Sequence, residues 1–140
     1  MSESIYILGA ARTPVGSFQG SLATQSAPEL GAHAMAAALA NGQVKADEVN
    51  EVIIGNVVSS GLKQAPARQA MRIAQLPDSC AATTINKVCG SGMKATMLAM
   101  DLIKAGSADT VVAGGMESMS NAPYLVAKAR AGLHRGHAGM

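Results

Sequence analysis

The 140 residues predict an α/β domain built on a mainly parallel sheet. Apolar, β-branched runs alternate with helical stretches, an order that gives parallel strands joined by right-handed crossovers. One run, Val52-Ile-Ile-Gly-Asn-Val-Val58, is nearly continuous, as suits a strand buried on both faces. Charged residues make up only 14 % of the chain, beside 15 glycines and 9 methionines, so much of the surface must be covered by the fold or by another chain.

The elements follow in order. Ser4–Ala10 (Ser-Ile-Tyr-Ile-Leu-Gly-Ala) has the pattern of a first strand, and Arg12-Thr-Pro14-Val-Gly16 breaks it with turn residues. Ser26-Ala-Pro-Glu29 is a capping box with proline in the first turn, so a helix starts there and ends at Asn41-Gly42. A second strand covers 51–59 and a short second helix 66–75, stopped before Pro77. A third strand is predicted over 82–88, a third helix over 90–105 with Gly106 as its stop, and a fourth strand over 109–114. From Ser118 the pattern turns irregular and runs into a polar tail with His134 and His137. On a helical wheel the third helix carries one narrow polar stripe, Lys94, Asp101 and Lys104. A helix that apolar is buried on most sides, and four strands with three helices leave part of it to be covered by something else.

Composition excludes several classes. Lys plus Arg is 11 against 9 acidic residues, a net charge of +2 without runs of one sign, and the aromatics are only Tyr6, Phe18 and Tyr124. A nucleic-acid binder of the single-strand type needs basic grooves and stacking rings. No apolar run approaches the roughly 18 residues that span a bilayer, so no membrane partner is expected. The opening Met-Ser-Glu-Ser lacks the basic start of a secretory signal, which predicts a cytoplasmic protein. Cys80 and Cys89 would stand roughly 20–30 Å apart on an extended segment. A disulfide needs Cα atoms within about 7 Å. Free thiols in a reducing compartment are therefore expected.

Chemistry concentrates at Cys89, where the third strand meets the third helix in Val88-Cys-Gly-Ser-Gly92. A helix N-terminus offers partial positive charge and free N–H groups that stabilise a thiolate. Glycines 90 and 92 allow close approach of backbone and substrate. The carboxyl end of a strand in an α/β sheet is also where ligands bind. Against this stands the ordinary role of cysteine as a small buried hydrophobe. The same segment, Gly90-Ser-Gly-Met-Lys-Ala95 with Glu117 after the next strand, also matches a dinucleotide fingerprint, although it does not lie on the opening strand.

Three segments carry a family resemblance. Asn86-Lys-Val-Cys89-Gly-Ser-Gly-Met-Lys-Ala95 resembles the active-site signature of thiolases, with Cys89 at the acylated nucleophile. Gly114-Gly-Met-Glu-Ser-Met-Ser120-Asn-Ala-Pro-Tyr124 and Gly9-Ala-Ala-Arg12-Thr-Pro-Val-Gly-Ser-Phe18 are similar to two further family segments, in the same order. Lys87-Val88 before the cysteine is closer to the acetoacetyl-CoA-forming branch. The resemblance implies acetyl-CoA C-acetyltransferase activity: two acetyl-CoA condense to acetoacetyl-CoA and CoA, or the reverse, through a thioester on Cys89. It also implies that the backbone N–H of Cys89 belongs to an oxyanion hole, and that no cofactor and no metal take part.

The resemblance covers a first half only. It implies a thiolase-like α/β domain over 1–117 that lacks the last strand of the half, followed over 118–140 by the start of a CoA-binding loop region. The histidine, second cysteine and asparagine that complete the family's site have no counterpart motif here. His33 and Cys80 read as structural, and His134 with His137 has metal-like spacing without a third ligand. Arg68 and Arg72 share a helix face and could meet CoA phosphates or simply face solvent. Glu117 could orient the site or merely pack a loop, and Gln64 and Asn86 could serve subunit contacts. Two functions remain open: the nucleophile half of an acyltransferase, inactive alone and completed as a homo-oligomer or by a chain supplying the second half, or a non-catalytic thiolase-fold module for assembly.

Overall fold

The structure, a computed structural model, describes residues 4–126. Its sheet has three parallel strands, β1 (Glu51–Gly55), β2 (Ala81–Ile85) and β3 (Val111–Gly115), in the order β2-β1-β3. The register pairs Gly55 with Ile85 on one side and with Gly115 on the other, so all three carboxyl ends finish level. That shared end is where the site forms.

Period-two alternation divides the central strand between two layers. Val52 and Ile54 join the main core with Met35 of α1 (Ala27–Gly42) and Ala67, Ala70 and Met71 of α2 (Pro66–Ile73). Ile53 and Gly55 therefore face the opposite side, where the Gly55 backbone meets Ser91 of α3 (Ser91–Lys104). Val52, Ile53 and Ile54 are all at most 4 % exposed. Each such side chain contributes about 1.5–3 kcal/mol on burial. Asn50 closes the other end of the sheet, its Oδ1 accepting from the N–H groups of Asp109 and Thr110.

The capping box at Ser26 forms as the sequence predicts. The Ser26 hydroxyl accepts from Glu29 N–H, and Glu29 Oε2 accepts from Ser26 N–H at 2.7 Å. Helix α1 ends differently from expectation. Gln43, at φ 53°, is the left-handed cap residue, while Gly42 stays within the helix. Gly42 is needed for another reason: a Cβ there would stand 3.1 Å from the backbone of Leu8 and Gly9.

That contact belongs to the main correction. Ser4–Ala10 has no regular secondary structure and pairs with no strand, so the described sheet has three strands rather than four. The segment is tied to the end of α1 through Asn41 Nδ2, which donates to Ala10 O at 3.0 Å. Tyr6, Ile7 and Leu8 are 76, 86 and 60 % exposed. The residue pattern supplies strand propensity, yet a strand also needs a neighbouring ladder, and none of β1–β3 lies beside it.

Two other predicted strands run long at their carboxyl ends, 56–59 and 86–88 being loop because pairing stops at Gly55 and Ile85, while the fourth, expected over 109–114, forms over Val111–Gly115. Helix α3 has a face that the described residues leave uncovered, the part that its sequence leaves to be covered by something else. Only Ser91, Ala95 and Ala99 are buried, and Met93, Met97 and Met100 stand exposed along one face. The described residues thus cover a narrow stripe of α3 rather than most of its circumference.

Candidate active site

The turn 86–90 carries the site, between the end of β2 and the start of α3. Val88 has φ 50°, a left-handed backbone that β-branched residues rarely adopt. The turn is therefore held from several sides. Ser91, 4 % exposed, accepts from Lys87 N–H at 2.8 Å and donates to Val88 O at 2.6 Å. Asn86 Oδ1 accepts from Val88 N–H at 2.9 Å, and Gly90 N–H donates to Lys87 O.

Cys89 follows on this turn as an exposed, free thiol. Its backbone N–H donates to no acceptor among the described residues. Gly90 is the N-cap of α3 and has no side chain to cap the first turn. The N–H groups of Gly90 and Ser91 donate to Lys87 O and Val88 O, and those of Gly92 and Met93 find no acceptor among the described residues.

Three glycines let α3 sit this close to the strand ends. A Cβ on Gly55 would stand 2.5 Å from Ser91 Cβ, and one on Gly115 3.4 Å from Gly92 Cα. Together with Val57, Val88, Met116 and Glu117, these residues line an open depression of about 290 Å³ that contains Cys89. A larger hollow of about 390 Å³ lies between 12–18 and 117–120 and contains no cysteine. The smaller one is the candidate site, because it contains Cys89.

Glu117 is half-buried and fully engaged. Its Oε1 accepts from Asn56 Nδ2 at 2.8 Å and Val58 N–H at 3.1 Å, and its Oε2 from Val57 N–H at 2.9 Å. The dinucleotide alternative fails on this geometry, because the carboxylate it would offer to a ribose is already used inside the chain. Asn56 was not singled out by the sequence. It is 2 % exposed, donates through Nδ2 to Met116 O as well, and its Oδ1 finds no donor among the described residues.

Other sequence candidates lie elsewhere. Cys80 is buried in the core beneath α2, and burial pushes its thiol above the ordinary value, with Glu51 adding to the effect. Arg68 and Arg72 both bind Asp78, at 3.3 and 2.7 Å, on the solvent side. His33 is exposed on α1. Gln64 is exposed and accepts through its carbonyl from Gln69, while Asn86 bonds within its own chain. His134 and His137 lie outside the described residues. Among the described residues no cluster of three metal-ligating side chains occurs.

Level strand ends, a left-handed turn and an uncapped helix N-terminus define an α/β protein that presents a cysteine at the carboxyl edge of a parallel sheet. Residues 5–140 match the family model described as thiolase, N-terminal domain, and the chain belongs to the thiolase family. It is 52 % identical over 137 residues to acetyl-CoA acetyltransferase IB of Candida tropicalis and 51 % identical over 135 to acetyl-CoA acetyltransferase of Escherichia coli. Those alignments cover 97 and 96 % of this chain and 34 % of each relative, so the chain spans about a third of their length. The fold superposes on the crystal structure of Acat5 thiolase from Ascaris suum in complex with coenzyme A. The TM-score is 0.86 at 43 % identity, over 88 % of this chain and 32 % of that one.

Proposed function

We propose that this chain is the nucleophile-bearing part of a thiolase-type acyltransferase, and that Cys89 takes up an acetyl group from acetyl-CoA. The observation that carries the reading is the placement of an exposed cysteine on a strained turn at an uncapped helix N-terminus, above a glycine floor. In the first step the Cys89 thiolate attacks the thioester carbonyl. A new C–S bond forms, the bond to CoA breaks, and CoA leaves as a thiolate that takes up a proton. The free Cys89 N–H can stabilise the oxyanion that develops on that carbonyl. In the second step the enolate of another acetyl-CoA forms the C–C bond and displaces Cys89, giving acetoacetyl-CoA. Removal of the α-proton needs a base, and among the described residues no histidine lines the depression around Cys89. The full condensation is therefore assigned to a completed protein, and the isolated chain is inactive in it.

On the same reading, 118–140 begin a CoA-binding loop region after the α/β part over 1–117. Among the described residues the last strand ends at Gly115 and only a short 3-10 turn, Met119–Asn121, follows, which supports that division. Exposed Met93, Met97 and Met100 support association with a second copy or with a chain supplying the remaining half. Two free cysteines fit a reducing, cytoplasmic setting.

The test is prolonged incubation with excess acetyl-CoA, read by intact mass and native mass. Exchange between two thioesters is nearly balanced in energy, so an adduct forms even if slowly. One acetyl group on the wild type and none on Cys89→Ala is the expected result. An adduct that persists in Cys89→Ala, or no adduct at all, overturns Cys89 as the acceptor. A monodisperse monomer overturns the association.

A further inference from the structure

We propose that Glu117 is a positioning residue for the Cys89 turn, acting on it through Val57 and Asn86; the inference rests on the reading of Cys89 as acyl acceptor. Three hydrogen bonds, and then the peptide bond from Val88 to Cys89, connect the two. Past Gly55 the chain leaves the sheet, and the N–H groups of Val57 and Val58 lose any ladder partner. Glu117, arriving from the end of β3, supplies both with acceptors, one oxygen for Val57 and the other for Val58 and Asn56 Nδ2. Val57, fixed in this way, presents its carbonyl to Asn86 Nδ2 at 3.3 Å. Asn86 is thereby oriented with Oδ1 on Val88 N–H at 2.9 Å.

The last step matters because Val88 is held at φ 50°. Ser91 secures the carbonyl side of that residue, and Asn86 is what secures its N–H. Released from Asn86, Val88 relaxes toward negative φ, and Cys89 is the next residue along. A carboxylate is required at 117, since a neutral amide has one acceptor oxygen for three donors. Asn56 N–H also donates to Ile85 O at 3.0 Å, so the exits of all three strands are tied together around the turn.

Amide hydrogen exchange on the full chain tests the relay. Glu117→Gln keeps an oxygen for Asn56 and Val58 but turns its NH2 toward Val57 N–H. Asn86→Asp, at an exposed position, removes the donor to Val57 and leaves an acceptor for Val88. In both variants the Val88 amide should exchange at least about fivefold faster relative to the core amides of Val52, Ile54 and Val112. The double variant should be no faster than the faster single one, because both changes cut the same chain. A local role for Glu117 would speed Val57 and Val58 and leave Val88 unchanged, which overturns the proposal. So does unchanged Val88 exchange in Asn86→Asp, a result available even if Glu117→Gln does not fold.

Acetyl transfer to Cys89, measured alongside, should slow by a similar factor. Exchange needs no acyl chemistry, so the two readings fail separately. Coupled Val88 exchange in a chain that never takes up acetyl refutes the acyl acceptor and keeps the relay. Normal acetylation with uncoupled exchange does the reverse.

Discussion

Gly55→Ala places a methyl group where α3 meets the sheet. The added Cβ would lie 2.5 Å from Ser91 Cβ, 2.6 Å from the Ser91 carbonyl carbon and 2.8 Å from Gly92 N. Carbon atoms pack best at about 3.5–4.0 Å, so the start of α3 must withdraw by roughly 1 Å. Two of the three obstructing atoms are backbone, and no rotamer change relieves them. Overpacking of this kind costs about 1–3 kcal/mol. Lost freedom of the unfolded chain returns about 0.4–1 kcal/mol. At mid-range the net expectation is a loss of about 1.3 kcal/mol, measured by urea unfolding followed by far-ultraviolet circular dichroism. Gly114→Ala is the matched control, because its nearest neighbour would be Ile54 Cδ1 at an ordinary 3.9 Å. That variant should be neutral or slightly stabilised. Equal stability of Gly55→Ala and wild type would refute the claim that backbone contact at Gly55 seats the helix that follows Cys89.

Three further predictions concern titration and access. Ser26→Ala removes the helix cap and should cost about 1 kcal/mol at neutral pH in the same unfolding assay. Hydrogen bonds from the Ser26 backbone and hydroxyl hold the Glu29 carboxyl below its ordinary value. Its contribution is complete above the ordinary glutamate range and is lost as pH falls through the lowered folded-state value. The difference between wild type and Ser26→Ala should therefore narrow in acid, and a constant difference would disprove the box as its source. With iodoacetamide near pH 8, Cys89 should be modified at least about tenfold faster than Cys80, whose thiol is buried and held protonated. Because folding raises the Cys80 value, stability should decline as pH climbs from the ordinary thiol range toward the raised one. Peptide mapping of the alkylated chain decides the first point and unfolding at alkaline pH the second.

Elements whose signals are local were legible in the sequence. The Ser26 box, the β-branched run at 52–54 and the proline and glycine punctuation depend on neighbours within a few residues. They located α1, β1, α2 and α3 to within a few positions. The motif around Cys89 was equally plain, since a cysteine followed by Gly-Ser-Gly at a strand–helix junction is a statement about consecutive residues. Pairing is not local. Ser4–Ala10 has the composition of a strand, and only the positions of the three real strands show that it has no ladder to join.

The wheel of α3 shows a helix that needs more cover than this chain supplies, but an apolar wheel says which face can be covered and not what covers it. Glu117 and Asn56 are sixty-one residues apart in number and joined at 2.8 Å in space. The sequence by itself determined the types of the elements around the site, the place of Cys89 at a strand–helix junction and the family. Only the tertiary structure decided that a carboxylate at the end of β3 serves the loop after β1, because the register that levels the strand ends brings their exits within hydrogen-bond reach.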